Sequence, residues 1–400
     1  MIRYLCQLPA FALFFLLAAG YAQAYGGPQE LVPPQAALPE MAGLLKFILL
    51  LTFCIHLLLV NILTGTAVIT LVRSLGGRSA PVLFSMQAET SLLPKVLALT
   101  VNFGVAPYLL VQVLYGSFLY PSTVLMALWW LSIIGFVMLS YYGLYIISDT
   151  STQRGFPLRS LLFAIVIMLL FTMFLLATNS TLMLRPDSWE RWLDAPHGTL
   201  LNIGDPTFFP RYLHFVIASL AVGGLVLAGR AQWKRNRQTV DAVMATEDIR
   251  SGFVWFRYAS LIQTAVGIWF LFSLPSDVRS LFLGKSPIAT SALLLVLTGL
   301  IAALYTSYKK ALAATCCIVA GIVFTMVSIR DMVRDAMLAP YINTAPDRVV
   351  ENLLPLPKGQ TGAFILFLVC SLLAVAVLVY LARVMFTALR QSRAAAPGEK

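Results

Sequence analysis

Residues 42–72 read AGLLKFILLLTFCIHLLLVNILTGTAVITLV, and Lys46 is the only charge in the stretch. A helix of about 20 apolar residues crosses the hydrocarbon core of a bilayer. This run exceeds that length, and its single charge lies near one end. It is read as a membrane-spanning helix. Eight more runs follow, at 94–116, 122–148, 160–184, 208–229, 252–274, 287–306, 311–330 and 362–387. The expected fold is an all-α, polytopic membrane bundle of nine transmembrane helices.

Composition agrees with this reading. Of the 400 residues, 59% are hydrophobic and 11% charged, and the mean hydropathy is +0.84. So few charges cannot cover the surface of a soluble protein this large. No glycine-rich phosphate loop follows a strand-like segment, so nucleotide-binding folds are set aside. Residues 1–24 have the form of a secretory signal: Arg3, the apolar run PAFALFFLLAAG, then Ala22-Gln23-Ala24 as the cleavage site. The sequence YGGPQELVPPQAALPE begins a Pro-rich extracytoplasmic lead-in, 25–41, and the nine-helix domain occupies 42–387. Residues 388–400 form a cytoplasmic tail.

The net charge of +11 is explained by topology. With an extracytoplasmic N-terminus, the connections near 73–93, 149–159, 230–251 and 307–310 face the cytoplasm. These segments, their span ends and the tail hold 16 of the 28 Lys and Arg residues, from Arg73 and Arg78 to Arg393 and Lys400. Basic residues concentrate on the cytoplasmic side of membrane proteins. No nucleic-acid partner is implied. The expected location is the bacterial cytoplasmic (inner) membrane, in contact with membrane lipid.

Cys6 goes with the signal, while Cys54, Cys316, Cys317 and Cys370 fall within spans and act as small apolar residues. No CxxCH attaches a c-type haem, and no CxxC pair suggests zinc or an iron–sulfur cluster.

Function therefore rests on polar groups at depth, which are costly in a bilayer. Two of the three histidines lie in spans: His56 in LTFCIHLLLVN and His214 in FPRYLHFVIASLAVGG. Both spans run inward, and 17 and 16 residues separate these histidines from the inner anchors Arg73 and Arg230. At about 1.5 Å per residue, both imidazoles stand roughly 24–26 Å above the cytoplasmic boundary. Two helix-borne imidazoles at one depth among apolar walls suit b-type haem. An isolated intramembrane histidine is otherwise a core residue or a proton relay. Haem propionates favour arginine near the membrane face. Arg211 precedes His214 by three residues, on the same helix face. Arg330 and Arg334, in SIRDMVRDAML, share a face at the outer end of the eighth span; the alternative is simple pairing with Asp331 and Asp335. Arg257 lies near the inner end of its span and snorkels to the cytoplasmic side.

These features resemble subunit I of the cytochrome bd quinol oxidases. The resemblance covers most of the chain after residue 40. It rests on nine spans with the start outside, on His56 in CIHLLLVNILTG, on Asn102-Phe103 in LTVNFGVA, and on RYLHFVIASLAVGG. It implies that His56 and His214 are axial haem ligands, in that family on separate haems. Asp335 and Pro340-Tyr341 fall where the family has an acidic haem ligand and a Pro-aromatic pair.

The departures point away from oxygen reduction. The connection that holds the family's quinol-binding loop shrinks to LPSDVRSLFLGKSPIA. SPIATSALLLVL carries no methionine where the family completes its low-spin haem, and ALWWLSIIGFVM carries no proton-channel carboxylate. The Gly-Arg-Gln-Pro motif is absent. The expectation is a membrane b-type cytochrome subunit binding one or two haems b, with His56 and His214 either sharing one haem or holding separate ones. It would pass electrons between membrane quinone and an extracytoplasmic c-type cytochrome partner, alongside other membrane subunits, without reducing oxygen itself. The alternatives are a haem-free transporter and a structural membrane anchor of a cytochrome complex. No internal repeat of the kind common in secondary transporters is visible.

Overall fold

The computed structural model describes residues 31–33, 42–76, 89–148, 158–238 and 241–342, together with five single positions near the C-terminus. The long helices are α1 (Ala42–Leu75), α2 (Leu93–Leu125), α3 (Ala127–Ser148), α4 (Leu158–Leu184), α5 (Phe208–Asn236), α6 (Ala242–Ser273), α7 (Pro287–Tyr308) and α8 (Leu312–Leu338). Seven of them, all but α6, are long and apolar enough to cross a membrane. The protein is thus a multi-pass, all-helical membrane bundle in which no strand occurs among the described residues. The sixth expected span falls within α6, where Arg257, Ser260, Gln263 and Thr264 interrupt the apolar run. The signal, nearly all of the lead-in, and the tail lie outside the described residues. So does the ninth span, apart from Val369, Leu373, Ala376, Tyr380 and Arg383, which are helical.

Several boundaries differ from the sequence reading. The expected second span, 94–116, runs on to Leu125 through Pro107 and Pro121, with Tyr115 off helical geometry at φ −135°, ψ 29°. The third helix then starts at Ala127 rather than 122. Proline is tolerated in membrane helices because neighbouring groups satisfy the freed backbone. The connection expected at 230–251 is mostly helix: α5 continues to Asn236, and α6 begins at Ala242 behind Asp241, whose carboxylate caps the Val243 N–H at 3.1 Å. At the outer side α8 extends past 330 to Leu338.

The chain forms two compact units, 1–37 with 45–344 and 38–44 with 345–400. In the larger unit, α5 packs along α6, α7 along α8, and α3 along α4. Glycine sets the closest approaches. A methyl group on Gly65 would stand 1.8 Å from the Ser219 carbonyl oxygen, and one on Gly223 would stand 2.5 Å from the Gly65 carbonyl carbon. Lipid is as apolar as leucine, so helices in a bilayer gain from such backbone contact rather than from burying apolar area.

Each end of the bundle is tied by charge. At one end Arg73 bridges Glu89 (2.6 Å) and Asp248 (2.5 Å), Thr70 donates to Glu89 (3.0 Å), and Arg230 donates to the Glu89 carbonyl (2.6 Å). This joins the end of α1, the entry to α2, the end of α5 and the start of α6. At the other end Lys46 of α1 pairs with Asp331 (3.0 Å) and Asp335 of α8.

Candidate functional site

Helices α1, α5, α6, α7 and α8 enclose a cavity of about 320 Å³. Its walls are mostly aliphatic and aromatic: Leu57 of α1, Phe215 of α5, Phe270 and Leu271 of α6, Leu293 and Val296 of α7, and Met326 and Val333 of α8. Its polar lining groups are few: Arg211, His214, Arg330, Asn61, Ser260, Gln263 and Thr264.

His214 stands in this cavity because α5 presents it towards α6. Its ring lies against Gly267, where a methyl group would be 3.3 Å from Cε1. The Phe270 ring is 6.5 Å away, centroid to centroid. The His214 Nδ1 is buried without a hydrogen-bond partner. One turn outward, Arg211 is 4% exposed and its guanidinium stands 5.0 Å over the Phe270 ring. Its Nε and Nη2 have no partner either. Arg330 comes from α8, 4.6 Å over the Phe53 ring of α1. Among the described residues no carboxylate forms an ion pair with Arg211 or Arg330. Asp205 attracts Arg211 from a distance, while Arg330 feels the repulsion of Arg211 and Arg334. Two cations on one apolar cavity, with no ion-pair partner among the described residues, call for an anionic group there.

Arg334 takes a different position. It bonds Asp331, and its guanidinium stacks 4.0 Å over the Tyr115 ring. Both partners of the pair are buried, at 5% and 8% side-chain exposure. Arg334 does not line the cavity; the alternative weighed from its spacing, pairing with Asp331, is what the side chains do. Asp335 is engaged by Lys46 and by the Tyr115 hydroxyl at 2.7 Å, which leaves it committed to the charge network. Arg257 stands at the C-terminal end of α7, 4.7 Å over the Tyr308 ring.

His56 and His214 keep equal register. Each lies nine residues outward of the Gly65–Gly223 crossing. They do not share the cavity, however, because His56 is absent from its lining. His56 faces α2, with Nδ1 2.9 Å from the Thr100 carbonyl oxygen. A carbonyl can only accept, so the proton sits on Nδ1 and the lone pair on Nε2. That is the tautomer of a metal-ligating imidazole whose second nitrogen is held by an outer partner. A methyl group on Gly104 would come within 2.8 Å of its Cε1.

Outside the spans, burial pulls the Arg185 guanidinium down, but Asp187 and Asp205 outweigh it and hold the group above its ordinary value. Asp205 also accepts from the Thr207 N–H (2.8 Å) and hydroxyl (2.5 Å) at the start of α5. These contacts fix the entry to the helix that carries Arg211 and His214.

The donor set fits haem. Iron takes four of its bonds from the porphyrin, so one or two imidazoles suffice. The absence of a cluster of three or more His, Cys, Asp or Glu among the described residues does not bear on it. Sequence reading missed Asn61, Gln263 and Met326, because single polar or thioether residues in an apolar run carry no periodic signal. No protein-family model matches the chain, and neither does any curated protein.

Proposed function

We propose that the protein is a membrane-embedded b-type cytochrome subunit that passes electrons between membrane quinone and an extracytoplasmic c-type cytochrome. The observation that carries this reading is the conjunction in one apolar cavity of the His214 imidazole with the guanidiniums of Arg211 and Arg330, neither of which is in an ion pair among the described residues. Apolar walls accept a porphyrin face, the imidazole supplies an iron ligand, and the two arginines pair with two propionates. Bound haem supplies reversible one-electron chemistry.

The chain's own residues do the rest. Gly267 leaves room for the His214 ring, and Phe270 packs beside it. Arg211 and Arg330 stabilise negative charge at the outer end, the side a soluble cytochrome reaches. His56, with its Nε2 lone pair available and outside this cavity, supports a second haem site over a ligand shared with His214. The resemblance to subunit I of the cytochrome bd oxidases supports the same assignment. The missing quinol loop and third-span carboxylates support electron transfer without oxygen reduction. The setting that follows is a bacterial inner-membrane complex with other membrane subunits.

The test is a reduced-minus-oxidised spectrum of the purified protein with pyridine haemochromogen quantification, on wild type, His214→Ala and His56→Ala. One or two haems b per chain, lowered in each variant, are expected. A haem-free wild type, or full occupancy in both variants, would overturn the assignment in favour of a transporter or anchor.

A further inference from the structure

The cavity extends well inward of His214. On α8 its lining runs from Val333 to Val319, about 21 Å of helix at 1.5 Å per residue. Gly267 marks the level of His214 on α6, and Gln263 lies four residues inward, about 6 Å. On α1, the Gly65–Gly223 crossing sets the level of Asn61 five residues, about 7.5 Å, inward of His214. Two side-chain amides thus meet the cavity at similar depth from different walls. Asn61 is 2% exposed, and Asn61 Oδ1 and Gln263 Oε1 are both buried without a hydrogen-bond partner among the described residues. Buried polar atoms left unpaired are costly, so a pair of them on one cavity marks a group that the protein alone does not supply.

We infer that the inner end of the cavity binds the ring of a lipophilic quinone or quinol, held by the amides of Asn61 and Gln263. Apart from His214 and the cations Arg211 and Arg330 the lining is neutral, Phe256, Ser260, Ala303 and Val319 included, and on α8 Arg330 lies 11 residues, about 16 Å, from Val319. A neutral polar ring with an apolar tail matches this surface, whereas a carboxylate or an ammonium finds no counter-charge. An amide both donates and accepts. Its NH₂ serves a quinone carbonyl, and its oxygen accepts from a quinol hydroxyl, so either redox form is held. The choice of a quinone among neutral polar ligands rests on the electron-transfer reading above. The site itself rests on the two amides.

The experiment measures equilibrium binding of a radiolabelled decyl-benzoquinone to the full-length protein in lipid nanodiscs. Saturable binding is expected in wild type, weakened at least about tenfold in Asn61→Leu and Gln263→Leu, the effect of losing one buried hydrogen bond to the ligand. Haem content is read from the same samples, so that a change in quinone affinity is separated from a loss of haem. A photoreactive azidoquinone should label the stretches around Asn61 and Gln263, which tests the site even if a leucine variant fails to fold. Non-saturable binding in wild type, labelling confined to other helices, or unchanged affinity in both variants overturns the site. His214→Ala separates the two readings: loss of haem with quinone binding retained supports this site on its own, and haem without saturable quinone binding rejects it while leaving the haem assignment standing.

Discussion

The imidazole of His214 lies against Gly267, close enough that a methyl group there would stand 3.3 Å from its Cε1. Gly267→Ala asks the ring to give by a few tenths of an ångström, while a branched side chain displaces it. Haem content should therefore fall slightly in Gly267→Ala and steeply in Gly267→Val, as read by pyridine haemochromogen. Gly104→Ala presses harder, because the methyl would stand 2.8 Å from Cε1 of His56, and should lower the haem content that depends on His56 while leaving that of His214. Wild-type haem content in Gly267→Val would show that His214 is not an iron ligand.

Arg211 and Arg330 place uncompensated positive charge at the outer end of the cavity. Positive charge beside haem favours the reduced form, which carries one unit less positive charge. Arg211→Gln and Arg330→Gln should each lower the midpoint potential by about 30–60 mV, up to a tenfold change in the one-electron equilibrium. Arg334→Gln should shift it less, since Asp331 already offsets that charge. Redox titration of the three variants checks the order, and equal shifts in all three would contradict the arrangement.

The Arg334–Asp331 pair is buried, and Lys46 and Tyr115 complete its surroundings. Removing Asp331 leaves the buried Arg334 guanidinium without its carboxylate, which costs about 3–5 kcal/mol, whereas removing Arg334 leaves Asp331 still paired with Lys46. Asp331→Leu should sharply lower thermal stability in detergent, and Arg334→Leu should lower it less. The double variant should lose less than the sum of the two, because neither charge is then left alone. Strict additivity would show that the pair is not coupled.

Gly65 and Gly223 let α1 and α5 meet backbone to backbone. Gly65→Leu inserts a side chain where even a methyl would stand 1.8 Å from a carbonyl oxygen. It should separate the helices and lower the yield of folded protein on size-exclusion chromatography. Gly116→Leu, at a position with nothing within 4 Å of a methyl, should be tolerated.

The placement of charge also fixes sidedness. Single cysteines at Gln238 and at Trp192 should react with an impermeant maleimide from opposite faces of the membrane, Gln238 from the cytoplasm. Labelling of both from one side would refute the alternation of α4, α5 and α6.

The helical, membrane-spanning character was legible from the sequence, because a bilayer leaves a chain few options. Runs such as 42–72 and 160–184 must satisfy their backbone internally, and only a helix does this within one segment. Helix ends were less legible. The second span was ended at 116, beside the Tyr115 kink, where neighbouring helices allow α2 to continue to Leu125, and the charged residues before 252 suggested a loop where Asp241 caps a helix. Charge counting could not give the fate of each cation: Arg330 and Arg334 share a helix face one turn apart, yet one lines the cavity and the other pairs with Asp331. Their shared spacing fixed only the face. The partners come from α1 and α2, brought close by Lys46, Phe53 and Tyr115, which are remote in sequence. In the same way the equal depth of His56 and His214 follows from counting along two helices, whereas their separation into different surroundings follows from which neighbour each helix presents them to. Depth is a property of one helix and its anchors. A cavity is made by five helices, and only their packing decides which side chains it contains.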